Sequence, residues 1–197
     1  MNKDAGKKVA SKNNTFLKLY HEKEKFNQYW FSEKSISFIV NQIEKYGSTI
    51  ALISCPSIFF SLNNEMKDKS FLFDIDTSFC KKHKNAKEYD YREYEKLIPE
   101  FENKFDFILI DPPFIDQEPW SKFAEFATKI AKKDEEGNVI AKFLCSSIAE
   151  NKDMLKNLIS VDIKKYQPSI PNLIYQYNLF SNYEDEELNI INEEIIN

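Results

Sequence analysis

Glycine is scarce in this chain of 197 residues, which contains only 3. So few glycines exclude the glycine-rich loops that bind phosphate groups through closely approaching backbone amides. The 3 cysteines are far apart and odd in number, and with only 2 histidines we expect neither a disulfide framework nor a zinc or other metal site. No apolar run approaches the length of about 18 residues that a membrane span needs, and the N-terminus is polar and lysine-rich. These features predict a cytoplasmic protein with reduced cysteines and no membrane partner.

Acidic residues outnumber basic ones, with 32 Asp and Glu against 27 Lys and Arg. The net charge is −5 and the isoelectric point is about 5.3. Residues 1–25 carry seven lysines against three acids, and residues 184–197 carry six acids and no base. The basic cluster over residues 81–84 is best explained as a solvated loop. Proteins that bind duplex nucleic acid usually have a basic face, so we do not expect nucleic acid as a partner.

Apolar content is sufficient for one packed domain. Hydrophobic residues make up 42% of the chain and aromatic residues 15%. We expect a flexible lysine-rich tail over residues 1–25, one domain over residues 26–185 and an acidic tail over residues 186–197.

Strand and helix patterns alternate through the central domain. This alternation predicts an α/β fold with a mostly parallel sheet covered on both sides. The last two strands leave little room for a helix between them and predict an antiparallel hairpin at one edge. Ser32 is suited to cap the first helix and Gly47 to end it. The predicted strands are 49–54, 70–76, 86–91, 105–111, 138–147, 161–168 and 173–183, and the predicted helices are 32–47, 121–133 and 148–159.

The sequence FDFILIDPPF, residues 105–114, ends a strand with an acid, two prolines and an aromatic ring. Ligands of parallel sheets bind beyond the carboxyl ends of the strands, where Asp111 is expected. An ionised carboxylate only accepts hydrogen bonds, and Pro112 and Pro113 offer carbonyls without N–H groups. Phe114 adds a flat face for a base or a cationic amine. Such a corner is suited to hold an amino group.

An amine held by acceptors can be methylated, because the acceptors take its hydrogens and direct its lone pair outward. This effect is mainly orientation. Asp111 is not expected to act as a strong general base, because its negative charge favours the ammonium form of a lysine. The alternative is structural: a strand that ends in an acid, with two prolines turning the chain.

The corner resembles the [DNS]-P-P-[YFW] signature of amino-methyltransferases that act on adenine N6, glutamine and some lysines. The wider pattern resembles one eukaryotic group, the lysine methyltransferases of translation elongation factor 1 alpha, first named as N6-adenine-specific DNA methyltransferases. The resemblance implies a seven-stranded class I (Rossmann-like) fold, S-adenosylmethionine as cofactor and elongation factor 1 alpha as protein partner. The matching blocks are QYWFS (28–32), ALISCPSIF (51–59), FLFDIDTSF (71–79), YDYRE (89–93), FDFILIDPPF (105–114), LCSS (144–147) and YNLFSNYED (177–185).

The resemblance implies that Asp111, Pro112, Pro113 and Phe114 form the catalytic corner, with Asp111 also bordering the cofactor. Ser54, Cys55 and Pro56 replace the usual glycine-rich loop and would pass under the methionine part of the cofactor. Backbone N–H groups would do the binding there. Nothing in the local sequence activates the Cys55 thiol, which we expect to be a small buried side chain.

Further cofactor contacts are expected from acids that follow the second and third strands. Asp76 is favoured over Asp74 for the two ribose hydroxyls. Asp90 is placed to reach the adenine amino group, or alternatively to cap a helix that begins near Arg92.

Two aromatic segments have open interpretations. Gln28, Tyr29 and Trp30 would cover the methionine end of the cofactor and line a lysine channel, or Tyr29, Trp30 and Phe31 would only pack the N-terminal segment against the domain. Asn182 and Tyr183 would form a wall of the substrate pocket, or belong only to an edge strand.

Three functions are compatible with these features. The first is a protein-lysine methyltransferase acting on elongation factor 1 alpha. The second is a nucleic-acid adenine-N6 methyltransferase that stacks a flipped base on Phe114. The acidic isoelectric point and the lack of an added target-recognition domain argue against it. The third is a non-catalytic partner subunit, against which the intact corner argues.

Overall fold

A computed structural model describes residues 14–195 of the chain. These residues form a seven-stranded sheet with the order β3-β2-β1-β4-β5-β7-β6. β1 to β5 run parallel, whereas β7 is antiparallel to both β5 and β6. The predicted class, a mostly parallel sheet with an antiparallel edge, is confirmed. The strands are β1 Ile50–Ile53, β2 Ser70–Asp74, β3 Ala86–Glu88, β4 Phe107–Ile110, β5 Lys142–Ile148, β6 Asp162–Ile163 and β7 Tyr177–Ser181.

Helices cover both faces of the sheet. Successive residues of a strand point to opposite faces, and Leu109 on β4 lies in one apolar core while Ile110 lies in the other. α2 and α3 contribute to the first core and α7 and α8 to the second. The helices are α1 Thr15–Leu19, α2 Glu33–Tyr46, α3 Pro56–Ser61, α4 Asn64–Asp68, α5 Thr77–Cys80, α6 Ile98–Phe101, α7 Gln117–Ile130 and α8 Lys152–Ile159, with short 3₁₀ turns at Glu24–Phe26, Tyr94–Leu97, Ala149–Asn151 and Glu186–Asn189.

Helix α2 has the ends that its sequence predicts. The Ser32 hydroxyl accepts a hydrogen bond from the Ser35 N–H at 3.1 Å, and Gly47 follows the last helical residue. Ile36, Ile39 and Ile43 are buried along one face, which is the helical spacing of the sequence.

Two predicted strands are much shorter than expected. The strand expected over 86–91 ends at Glu88, because the Asp90 carboxylate turns the chain by accepting the Arg92 N–H at 2.9 Å. The strand expected over 161–168 covers only Asp162–Ile163, and farther along the Tyr166 N–H donates to the Leu188 carbonyl instead of to the sheet.

Parts of both expected tails are packed against the domain. Phe16 in α1 is 2% exposed, and Leu188 near the C-terminus is fully buried. The Asp185 carboxylate accepts from Lys45 and from the Tyr46 hydroxyl, each at 2.5 Å, and thereby ties the C-terminal segment to α2. Residues 14–25 and 186–195 thus contact the domain, while the predicted flexibility of the two tails stays a prediction. The rest of each expected tail lies outside the described residues.

Strand register aligns four residues at the carboxyl edge of the sheet. Ile53 pairs with Phe73 and with Ile110, and Ile110 pairs with Cys145. The residue that follows each of these partners therefore lies in one row. In order across the sheet, the row consists of Asp74 on β2, Ser54 after β1, Asp111 after β4 and Ser146 on β5. The order reverses between β1 and β4, which is where ligands bind in open α/β sheets. Within residues 14–195 we find no helix long and apolar enough to cross a membrane.

Gly47 makes a close approach that allows a test of the fold. A β-carbon at this position would lie 2.7 Å from Ile50 Cγ1 and 3.0 Å from the Ile43 carbonyl oxygen. Because Ile50 is fully buried at the start of β1 and has little room to move, we expect Gly47→Ala to cost about 1–3 kcal/mol of unfolding free energy. Urea denaturation measures the loss, and the neighbouring exposed Ser48→Ala variant is the control. A Gly47→Ala variant as stable as the control would contradict this close packing against Ile50.

Candidate active site

A cavity of about 670 Å³ opens at the carboxyl edge, over the row of aligned residues. Its walls combine carboxylates with aromatic rings. The carboxylates are Asp74, Asp90, Asp111 and Asp116, and the aromatic residues are Phe26, Tyr29, Trp30, Tyr89, Tyr91, Phe114, Phe123, Tyr175 and Tyr177. All four members of the predicted corner, residues 111–114, line this cavity.

Asp111 lies at the centre of the row. Its backbone N–H donates to the Ile53 carbonyl at 3.0 Å, which joins the ends of β1 and β4. The Ser146 hydroxyl, at the end of β5, donates a hydrogen bond to Oδ1 of the carboxyl group. Burial raises the pKa of Asp111 from 3.8 to about 7, and the Ser146 hydrogen bond opposes that rise. Among the described residues no donor is bonded to Oδ2, so this oxygen is free to accept a hydrogen bond from a ligand.

The loop after Asp111 is fixed by side chains that the sequence did not reveal. The Trp120 indole Nε1 donates to the Phe114 carbonyl at 3.0 Å. Asn151 donates to the Ile115 carbonyl at 2.8 Å and to the Ser147 hydroxyl at 3.0 Å. These bonds use carbonyls beyond the prolines, and within residues 14–195 the carbonyls of residues 112 and 113 accept no backbone or side-chain donor. The corner therefore keeps its acceptors available, as the sequence predicts.

The loop after β1 takes the place of a glycine-rich turn. Ser54 adopts a φ of 59°, a left-handed conformation that non-glycine residues seldom take. Ser54 and Pro56 line the cavity, but Cys55 does not. The Cys55 thiol is 1% exposed and lies 3.1 Å from the Ile53 carbonyl. Burial raises the pKa of this thiol well above its usual value, in agreement with an unreactive side chain.

Asp74 and Asp76 have different surroundings. The sequence favoured Asp76 for the ribose hydroxyls, but Asp74 is the one that faces the cavity. Asp74, the last residue of β2, lines the cavity, and burial raises the pKa of its carboxyl group to about 7. Asp76 is not among the cavity-lining residues. Its carboxylate caps α5 by accepting from Ser78 and also accepts from Lys23 at 2.5 Å and Gln28 at 3.2 Å. Burial opposes ionisation of Asp76, but these donors outweigh it and lower its pKa.

The ranking of Asp76 ahead of Asp74 as the ribose ligand is therefore wrong in this structure. Strand β2 ends at Asp74, so this residue points from the strand end into the cavity, whereas Asp76 already belongs to the next helix cap. Asp76 instead anchors the segment that carries Gln28, Tyr29 and Trp30.

That segment forms one wall of the cavity and is also packed against the domain, while its contacts with the cofactor and with a substrate lysine stay a prediction. Gln28, Tyr29 and Trp30 line the cavity. Trp30 also packs edge-on against Phe16, with ring centroids 5.2 Å apart, and donates its indole N–H to the Tyr20 carbonyl at 3.2 Å. Phe31 is 1% exposed and belongs to the core.

Asp90 both lines the cavity and turns the chain, but it caps a turn and not the expected helix, and its contact with the adenine amino group stays a prediction. It lines the cavity near Tyr91, and its carboxylate binds the Arg92 side chain at 2.6 Å while capping the turn through the Arg92 N–H. The Arg92 side chain is the main cause of the lowered pKa of Asp90.

The expectation that Asn182 and Tyr183 form a substrate wall is wrong. β7 runs antiparallel to β5, so its last residues lie at the amino edge, away from the cavity. The Asn182 amide bonds the Phe143 N–H and the Ala141 carbonyl there, and Tyr183 bonds Gln42. The residue of β7 at the rim is its first, Tyr177, which lines the cavity and which the sequence did not single out.

An unpaired buried oxygen in the cavity wall indicates that the cavity fits S-adenosylmethionine. Oε1 of Gln28 is buried without a hydrogen-bond partner, because the amide nitrogen is turned toward Asp76. Buried acceptors are rarely left unpaired, so this atom indicates a missing donor, such as a ribose hydroxyl or an ammonium group. Asp74 and the Ser54 loop supply the other polar groups that a nucleoside bearing an amino acid needs.

The fold and this row of side chains define a class I methyltransferase. A candidate RNA methyltransferase from Pyrococcus horikoshii has the same fold with a TM-score of 0.50, at 12% identity over 82% of this chain and 87% of that one. A family model described as "Probable N6-adenine methyltransferase" matches residues 22–185, and the chain belongs to this family.

Two relatives that are similar in sequence to this chain are named as lysine methyltransferases. A protein-lysine N-methyltransferase of Dictyostelium discoideum is 27% identical over 85% of this chain and 80% of its own length. EEF1A lysine methyltransferase 1 of Gallus gallus is 27% identical over 80% of this chain and 73% of its own. The predictions of a methyltransferase and of S-adenosylmethionine as its cofactor are confirmed.

The two aspartates after β2 can be separated by their effects on binding and stability. We expect Asp74→Asn to raise the dissociation constant of S-adenosylmethionine at least tenfold, measured by calorimetry. Asp76→Asn should instead lower the thermal midpoint, because it weakens the cap of α5 and the ion pair with Lys23. Equal cofactor binding by Asp74→Asn and the parent protein would contradict the ribose role of Asp74.

The raised pKa of Asp111 predicts how stability depends on pH. The unfolded chain releases the Asp111 proton near pH 4 and the folded chain near pH 7. Between these values the contribution of Asp111 to stability falls as pH rises, by up to about 1.4 kcal/mol per pH unit. Asparagine does not titrate, so the thermal midpoint of Asp111→Asn should rise relative to the parent between about pH 4 and pH 7 and stay level above that.

The exposed Asp116→Asn variant, in the same loop, is the control for this experiment. It shows how far the loss of an exposed aspartate from this loop by itself changes the thermal midpoint. A constant difference between Asp111→Asn and the parent over the whole range would show that Asp111 is not held in a desolvated site.

Proposed function

We propose that this chain transfers a methyl group from S-adenosylmethionine to the ε-amine of a lysine in translation elongation factor 1 alpha. The observation that carries the proposal is the Asp111 carboxyl group, which lines the cavity with Oδ1 bonded by Ser146 and with Oδ2 free of any donor from residues 14–195. Aromatic rings surround it, and a cationic or neutral amine binds well between an acceptor and such rings.

The corner would hold the amine by its hydrogens. Oδ2 of Asp111 and the proline carbonyls accept N–H bonds, which leaves the nitrogen lone pair directed away from them. The Ser146 hydroxyl fixes the carboxyl plane, and the bonds from Trp120 and Asn151 fix the loop. Orientation of this kind can contribute several kcal/mol to lowering a barrier.

S-adenosylmethionine supplies, when bound, a methyl group on a positively charged sulfur. The lysine must first lose one ammonium proton, which passes to water at the mouth. The nitrogen lone pair would take the methyl group while the sulfur would keep the electrons of the C–S bond, which would leave a methylated ammonium and a neutral thioether. Asp111 has a pKa of about 7 and stays a weak base beside an amine whose pKa is about 10.4 in water, so its role is orientation.

The choice of elongation factor 1 alpha is supported by relatives. EEF1A lysine methyltransferase 1 of Gallus gallus and of Mus musculus match this chain at 27% and 23% identity. The protein-lysine N-methyltransferase of Dictyostelium discoideum supports a lysine acceptor more generally.

Adenine N6 is the second candidate acceptor, favoured by the description of the family. The same corner would accept from an adenine amino group, with Phe114 stacked on the base. Among the described residues that line the cavity, however, the cations are only Lys25 and Arg92, and Arg92 is bound to Asp90. Phosphate binding would need more free cations than these.

Labelled S-adenosylmethionine tests the proposal. The full-length protein is incubated with purified elongation factor 1 alpha and, separately, with single-stranded oligonucleotides that contain adenine. We expect label on the factor, at a lysine identified by mass spectrometry. Asp111→Ala should reduce the rate at least a hundredfold, because the amine loses its central acceptor, while the cofactor dissociation constant changes only a few-fold.

The other outcomes have distinct meanings. Label on the oligonucleotides alone would replace lysine by adenine as the acceptor. No label on either, with cofactor binding intact, would support a non-catalytic partner subunit. Equal loss of transfer and of cofactor affinity in Asp111→Ala would make Asp111 a cofactor ligand only.

A further inference from the structure

Two large apolar side chains are exposed side by side at the mouth of the cavity. Ile174 is 95% exposed and Tyr175 is 56% exposed, and both line the cavity together with Leu173. They belong to the connection between β6 and β7. We call residues 173–175 the rim strap.

The rim strap is held in place and is not a loose loop end. Ser169, just before it, exchanges two hydrogen bonds with the start of α2: its N–H donates to Ser35 at 2.9 Å and its carbonyl accepts from Ser32 at 2.8 Å. The Asn172 amide donates to Glu22 at 2.8 Å, which ties the strap to the wall that carries Trp30. Exposed apolar groups fixed on a polar frame are typical of binding surfaces, since the ordering cost is already met in the free protein.

The charges beside the rim strap identify the kind of partner. Four aspartates line the cavity against two cations, and one of these cations, Arg92, is already bound by Asp90 at 2.6 Å. A ligand that enters past Ile174 and Tyr175 therefore meets an apolar surface first and negative charge deeper in. This sequence of environments suits a protein segment with an apolar side chain beside a lysine, whose long alkyl chain can cross the apolar rim.

We infer that the rim strap is the docking surface for the segment of the substrate protein that flanks the methylated lysine. The inference rests on the proposed lysine methylation and adds how the enzyme selects one lysine. Apolar side chains near the lysine pack on Ile174 and Tyr175, so the strap recognises the folded partner and the corner at Asp111 holds only the amine.

Ile174→Ser tests the docking role. We expect the KM for folded elongation factor 1 alpha to rise about tenfold, because burying one large apolar side chain at an interface centre is worth that much. The ratio of kcat/KM for the folded factor to kcat/KM for a short lysine peptide flanked by glycines should fall by a similar factor. Calorimetry should give a cofactor affinity close to that of the parent, and circular dichroism an unchanged fold.

Ile140→Ser is the matched control. Ile140 is 53% exposed and precedes β5 at the amino edge of the sheet, opposite the cavity. This variant should methylate the factor with the KM of the parent protein. Equal increases of KM in both variants would overturn the docking role, because they would reflect surface hydrophobicity in general.

The remaining outcomes separate the two proposals. If the parent protein labels no lysine, the proposed function fails. If the parent labels the factor and Ile174→Ser does so with the same KM, only the docking inference fails. Sedimentation velocity of the enzyme alone tests whether the rim strap binds a second copy of this chain. If the parent protein is a dimer and Ile174→Ser is a monomer, the strap is a dimer interface and the inference is overturned.

Discussion

The hydrogen bond between Ser146 and Asp111 depends on the register of three strands, and the site depends on that hydrogen bond. Ile53 of β1 is paired with Ile110 of β4, and Ile110 is paired with Cys145 of β5, so the residues that follow these three meet in one row. A carboxyl group in that row is shielded from water, and burial raises its pKa to about 7. The Ser146 hydroxyl offsets part of this cost and fixes the carboxyl plane. A shift of β4 by one residue would turn Asp111 to the opposite face of the sheet, and a shift of β5 would do the same to Ser146.

Two carboxyl groups with restricted access to water, the buried Asp74 and the half-buried Asp111, make the site a local source of instability. The pKa values of Asp74 and Asp111 are both raised to about 7 by burial. Folding therefore carries a cost at neutral pH that an apolar row would not have. The large apolar cores on both faces of the sheet compensate, since the strands beneath the row are almost fully buried. Such a compromise is common where binding or catalysis needs a polar group out of water.

The opposite pattern occurs at Asp76 and Asp185. Each carboxylate accepts from a lysine and from neighbouring polar groups, and the pKa of each is lowered because these donors outweigh burial. Both acids connect a chain end to the rest of the domain, Asp76 through Lys23 and Asp185 through Lys45 in α2. The terminal segments are thus fixed by polar anchors, and the N-terminal one thereby becomes a wall of the cavity.

The sequence by itself determined the elements and the corner. Apolar periodicity predicted the class of sheet and the three longest helices, α2, α7 and α8, because burial of an alternating or helical face depends mainly on local spacing. It also identified residues 111–114, since an acid and two prolines after an apolar strand have few structural explanations. Only the tertiary structure decided which partners meet. Whether Asp74 or Asp76 faced the cavity depended on where β2 ends, and the direction of β7 moved Asn182 away from the rim and brought Tyr177 to it. Strand direction and strand ends follow from pairing between segments far apart in the chain, which local patterns do not contain.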